Sequence, residues 1–84
     1  MNTAASVDHH CRLGDWCHVG PGALLAGRVT LGAGAFVGAG AVIINGISIG
    51  RHTVVGAGSV VVRDLPESVV VVGVPAAILQ DGER

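Results

Sequence analysis

The chain has no lysine and no tyrosine, and its only aromatic rings of the Phe, Trp or Tyr type belong to Trp16 and Phe36. A core of stacked aromatics is therefore excluded. Without lysine, so are Schiff-base chemistry and the Gly- and Lys-bearing loop that cradles phosphates in P-loop proteins. The five cations are all arginine and stand against six acids, for a net charge of −1, which is not the basic footprint of a nucleic-acid binder or a polybasic membrane anchor. The two cysteines, Cys11 and Cys17, are too few for a disulfide framework and lack CxxC spacing, so a reducing, cytoplasmic compartment fits. The opening MNTAASVDHHC has no basic stretch followed by an apolar run and is not a secretory signal. What the chain does have is 84 residues, half of them apolar, with 14 glycines. That composition favours one small domain of regularly packed small residues over a helical bundle.

Val29 to Gly50 carries no charge over 22 residues, long enough to cross a bilayer. Its glycines and polar residues weaken that reading, and its pattern continues in phase through charged sequence on both sides. The pattern is a period of six. An aliphatic residue stands at Val7, Leu13, Val19, Leu25, Leu31, Val37, Ile43, Ile49, Val55 and Val61. Glycine follows it at 14, 20, 32, 38, 50 and 56, and a small residue stands four after it at Cys11, Cys17, Ala23, Ala35, Ala41, Thr53 and Ser59. A helix repeats at 3.6 and a strand at two, so six requires each hexad to be one short strand plus a bend. Three such strands close a triangular coil of 18 residues, and coils stack about 4.8 Å apart by parallel pairing. These tandem hexads resemble the left-handed parallel β-helix of the hexapeptide-repeat acyltransferases. The resemblance supplies the hand, an exception to the usual right-handed crossover.

Hexads fill 7–60 as three coils and break at Val61-Val62-Arg63-Asp64-Leu65-Pro66. Pro66 cannot donate to a ladder and is expected to end the stack, giving a β-helix of about three to four coils over 1–66. The remainder, 67–84, is expected to hold a last strand within 67–72 and then, from Gly73-Val74-Pro75, a short C-terminal helix with Pro75 in its first turn. Met1 and Ala5 are already in phase, so the chain is expected to be the C-terminal part of a longer protein or a minimal version of it.

Residues 18 apart lie above one another. The position before each aliphatic gives a polar column, Arg12/Thr30/Ser48, and two largely apolar ones, His18/Phe36/Val54 and Leu24/Val42/Val60. Outward apolar stripes mark an interface, and a small core gains most from oligomerisation, so a homotrimer is expected; a monomer with scattered surface valines is the alternative. Two positions after the aliphatic, one corner carries His9, Gly27, Asn45 and Arg63. An imidazole and a guanidinium about 14 Å apart over three coil spacings bracket a bare glycine, a groove suited to the pantetheine arm of acetyl-CoA with its phosphates toward Arg63. The equivalent pairs at another corner, Pro21-Gly22, Ala39-Gly40 and Ala57-Gly58, have almost no side chain.

His9 follows Asp8, the usual pairing for a general base, against the plain alternative of a hydrated turn histidine. His18 heads an apolar column and is either a packed interface residue or functional. Trp16 lines a substrate pocket or anchors an interface. Cys11 and Cys17 read as core filler. The four histidines raise interfacial zinc, as in β-helical carbonic anhydrases, whose ligands include a pair five residues apart; His9, His10, His18 and His52 include no such pair, and no metal is expected.

The segments Asn2-Thr3, Val7-Asp8-His9-His10-Cys11, Leu13-Gly14-Asp15-Trp16-Cys17-His18-Val19 and Pro21-Gly22-Ala23, with the ending Gly73-Val74-Pro75-Ala76, resemble sugar O- and N-acetyltransferases of the sialic acid O-acetyltransferase type. The resemblance implies acetyl transfer from acetyl-CoA to a sugar amine or hydroxyl by direct attack. It makes His9 the general base, oriented by Asp8. Asn2 and His18 assist around the acceptor and thioester, and the Gly27 backbone holds the acetyl carbonyl. His10 stands where relatives often carry an acidic or polar residue. Those enzymes also carry an N-terminal nucleotide-sugar-binding domain that this sequence lacks, so the competing expectation is a non-catalytic trimeric β-helix module.

Overall fold

In the computed structural model, which describes residues 6–8 and 10–80, every hexad folds as two extended residues and a turn. The strands are β1 (Ser6–Val7), β2 (Arg12–Leu13), β3 (His18–Val19), β4 (Leu24–Leu25), β5 (Thr30–Leu31), β6 (Phe36–Val37), β7 (Val42–Ile43), β8 (Ser48–Ile49), β9 (Val54–Val55), β10 (Val60–Val61), β11 (Val70–Val72) and β12 (Ala77–Gln80). They stack into three faces: β1, β4, β7 and β10 on the first, β2, β5 and β8 on the second, and β3, β6, β9, β11 and β12 on the third. All pairs but the last are parallel, and from β1 to β10 each residue sits against the one 18 later, as in Leu25↔Ile43 and Leu31↔Ile49. The chain is thus an all-β solenoid of about four turns. The uncharged run 29–50 lies within these turns as strands β5 to β8, and among the described residues no helix is long and apolar enough to cross a membrane.

From β1 to β11 the second residue of each strand points inward. Leu25, Val37, Ile43 and Val55 are completely buried, together with the small residues Ala23, Ala35, Ala41 and Thr53. Cys11 and Cys17 fill the same slots in the first coil, half-buried, their thiols donating to the carbonyls of Ala26 (3.2 Å) and Gly32 (3.1 Å). Leu13 is inward by pattern yet 43% exposed, because none of the described residues packs beneath the first coil.

The corners differ, and the difference locates the site. At the second and third corners the residue after the aliphatic is glycine, because a side chain there would strike the next coil: a Cβ on Gly38 would lie 2.6 Å from the Ala57 backbone nitrogen. The first corner has Asp8, Ala26, Ile44 and Val62 in that position. Three residues after the aliphatic, the turn needs a left-handed backbone. At the third corner glycine supplies it throughout (Gly22, Gly40, Gly58, φ 70 to 74°), whereas His10 and Arg28 at the first corner and Trp16 and His52 at the second hold φ of 59 to 68° with full side chains.

Two expectations are corrected. Pro66 does not end the stack: Leu65 bridges Ile49, and Val70 and Val71 pair with Val54 and Val55 in a fourth coil that is two residues short. Side chains replace the missing backbone partners. The Asp64 carboxylate accepts the Ser48 amide at 2.8 Å, and the buried Thr53 hydroxyl donates to the Pro66 carbonyl and accepts from the Val69 amide. Pro66 is tolerated because it offers only its carbonyl to this network. The short C-terminal helix is a strand instead. The turn at Gly73 to Ala76 is held to β10, the Val60 amide donating to Gly73 O and the Ala76 amide to Val60 O. Residues 77–80 then return antiparallel along β11. Pairing satisfies the open edge of β11, whereas an isolated helix of one turn is unstable.

Candidate functional site

The first corner brings together Asp8, Gly27, Asn45 and Arg63, because β1, β4, β7 and β10 are in strict register beneath them. Asp8 is fixed by its amide, which donates to Leu25 O at 3.0 Å, and its carboxylate leans over the next coil, where Oδ2 lies 3.5 Å from the position a Cβ of Gly27 would take. Gly27 is half-buried, and its carbonyl accepts the Gly46 amide at 2.9 Å. Asn45 and Arg63 are exposed above it. His9 and Asn2 belong to the same expected site and lie outside the described residues. Sequence reasoning passed over Arg28, which stands exposed at φ 64° next to Gly27 and adds a cation beside the column. The signal was available: at the slot where most hexads carry glycine, Arg28 is one of the departures, and a left-handed backbone on a large residue costs about 1–2 kcal/mol.

His18 is not part of that cluster in a single chain. The first corner lies between the first and second faces, and His18 begins β3 on the third face, across the prism. There its imidazole stacks on Phe36 with ring centroids 4.6 Å apart and an interplanar angle of 13°. Trp16 stands at the second corner, 91% exposed. The apolar columns are open on the outside, Leu24 at 41% and Phe36 at 42% exposure, with Val42, Val54 and Val60 half-buried. Among the described residues a single chain forms no pocket, and no group of three His, Cys, Asp or Glu could hold a metal.

Residues 28–63 match the family profile "Bacterial transferase hexapeptide (six repeats)", and the stacked coils are consistent with its left-handed β-helix. No curated protein matches the chain. Among solved structures, PerB from Caulobacter crescentus, in complex with CoA and GDP-perosamine, is 61% identical with a TM-score of 0.91 over 92% of this chain. The acetyltransferase domain of PglB from Neisseria gonorrhoeae, in complex with acetyl coenzyme A, is 41% identical with a TM-score of 0.92 over 93%. A galactoside acetyltransferase in complex with coenzyme A is 27% identical, TM-score 0.86, over 92% of this chain and 48% of its own. The chain spans only 37% of the PerB chain and 38% of the PglB chain.

Proposed function

We propose that the chain belongs to the hexapeptide-repeat family of bacterial transferases, whose profile its residues 28–63 match, and that it transfers acetyl from acetyl-CoA to an amine or hydroxyl of a sugar or sugar nucleotide, as a homotrimer in the cytoplasm. The observation that carries this reading is the first-corner column, bare at Gly27, on a fold whose relatives are solved with CoA or acetyl-CoA bound. The pantetheine arm runs along Gly27 and Asn45 toward Arg63, which pairs with phosphate. His9, oriented by Asp8, takes the proton of the acceptor as its nitrogen or oxygen attacks the thioester carbonyl. The Gly27 backbone steadies the oxyanion. The tetrahedral intermediate then collapses with loss of the CoA thiolate, which takes the proton back from His9.

The same geometry supports a trimer. Among the described residues the prism forms no pocket of its own, and His18 lies across it from the Asp8 corner. A second copy docked through the apolar columns brings the third face of one chain to the first corner of another, which supplies the missing wall and seats His18 beside the thioester. Thiol release from acetyl-CoA across a panel of amino sugars and sugar nucleotides tests the reading. His9→Ala is expected to lower kcat by about 10²–10⁴ with CoA affinity nearly unchanged, and His10→Ala to do much less. CoA binding without turnover on any acceptor would favour the non-catalytic module.

A further inference from the structure

The second corner holds an arrangement that acetyl transfer does not use. Trp16 and His52 occupy the same hexad slot two coils apart, about 10 Å along the stack, with φ of 65 and 59°. Bulky residues hold such values only where the surrounding structure imposes them, and such sites cluster at ligand contacts. Between them lies Gly34, and a Cβ placed there would be 2.5 Å from His52 Nδ1 and 2.7 Å from Cε1. The imidazole has therefore folded down the corner into the side-chain space of the coil below, toward Trp16. The indole, 91% exposed, touches almost nothing of this chain, and its two side-chain torsions allow it to close on a ring laid against the imidazole. Exposed Arg51 stands in the column beside His52, with Glu67 one coil further along that column and Asp15 two coils back, beyond Ala33.

We propose that this corner binds a nucleobase, stacked between Trp16 and His52, with Arg51 on the attached phosphate and the neighbouring carboxylates available to exocyclic amines. Stacking between two rings is selective for flat π systems and tolerant of which base is held. The base comes either from the adenine of CoA or from the nucleotide of a sugar nucleotide. The inference does not rest on acetyl transfer: a chain that binds bases here and turns over nothing would leave it standing.

Trp16 is the only tryptophan, so intrinsic fluorescence reports this corner alone. Adenosine and guanosine monophosphates are titrated into the full chain, with ribose 5-phosphate as the base-free control. Saturable quenching is expected with the nucleotides and none with ribose 5-phosphate. His52→Gly, which suits the left-handed backbone and should leave thermal unfolding unchanged, is expected to weaken nucleotide binding fivefold or more. Arg51→Ala is expected to weaken the monophosphates and spare the nucleosides. Displacement by CoA identifies adenine as the source, and preference for guanosine diphosphate over CoA identifies a sugar nucleotide. Linear, non-saturating quenching that is the same in wild type and His52→Gly would overturn the proposal. So would equal quenching by ribose 5-phosphate, or the emission of an indole already buried by a second copy.

Discussion

Alanine at Gly38 and alanine at Gly27 are the same chemical change with opposite expected outcomes. At Gly38 the new methyl would sit 2.6 Å from the Ala57 nitrogen and 2.9 Å from its Cα. Both are backbone atoms of the next coil, so neither can turn aside. The coils must part by roughly half an ångström or more, which stretches the 2.8 Å bond from the Gly38 amide to Val55 O. Overpacking of this kind costs about 1–3 kcal/mol, and the rigid neighbour places it at about 2–3, a fall in Tm of roughly 8–24 °C for a chain this size. At Gly27 the only atom within reach among the described residues is Asp8 Oδ2 at 3.5 Å, an ordinary contact, so Gly27→Ala should stay within about 0.5 kcal/mol of wild type. Thermal unfolding by circular dichroism at matched protein concentration measures both. Equal losses at the two positions would refute the distinction between stack glycines and a site glycine. Enlarging further, Gly27→Val should keep the fold and abolish CoA binding in calorimetric titration.

Val42→Asp places a charge in the apolar column proposed as the interface and should cost several kcal/mol of assembly; light scattering should show the proposed trimer lost, and an intact trimer of unchanged stability would contradict the interface. Arg63→Ala should weaken CoA binding by about 1–3 kcal/mol, an effect that shrinks as salt rises, whereas a solvated turn arginine would make the change silent in titrations at two salt concentrations. Thr53→Val removes the hydroxyl that serves Pro66 O and the Val69 amide and should cost about 1–3 kcal/mol, read as a lower urea midpoint; an unchanged midpoint would mean the fourth coil does not depend on it.

The coil and its faces were legible because a period of six admits one solution, and the burial of Leu25, Val37 and Ile43 follows from it directly. A further strand within 67–72 was legible, but its place in a fourth coil past Pro66 was hidden because that coil is two residues short, so Leu65 and Val71 leave the hexad frame while Asp64 and Thr53 supply side-chain partners in place of ladder amides and carbonyls. The terminal strand was hidden because Pro75 and Ala76-Ala77 fit a helix start locally, and only the open edge of β11 decides otherwise. At the site, strands β4, β7 and β10 pair 18 residues apart beneath Gly27, Asn45 and Arg63, while His9, expected in the same column, lies outside the described residues. The same columns place His18 on the third face, across the prism from Asp8; its grouping with the first corner came from the family resemblance, which the columns of one chain do not reproduce. Arg28 was passed over because glycine at the left-handed slot was read as simple turn composition, and its replacement there was given no weight.

The central claim is that the acetyl-transfer site forms between copies, with the His9 column from one chain and His18 from another. Mixing tests it most directly: His9→Ala and His18→Ala, each inactive alone, are unfolded together, refolded and assayed for thiol release from acetyl-CoA with the acceptor that the panel identifies. If each site draws one histidine from each of two copies in a closed ring, random reassortment leaves roughly a quarter of the sites with both, and about that fraction of wild-type activity should return. No recovery above the separate variants, with mixed trimers demonstrably formed, would contradict the account.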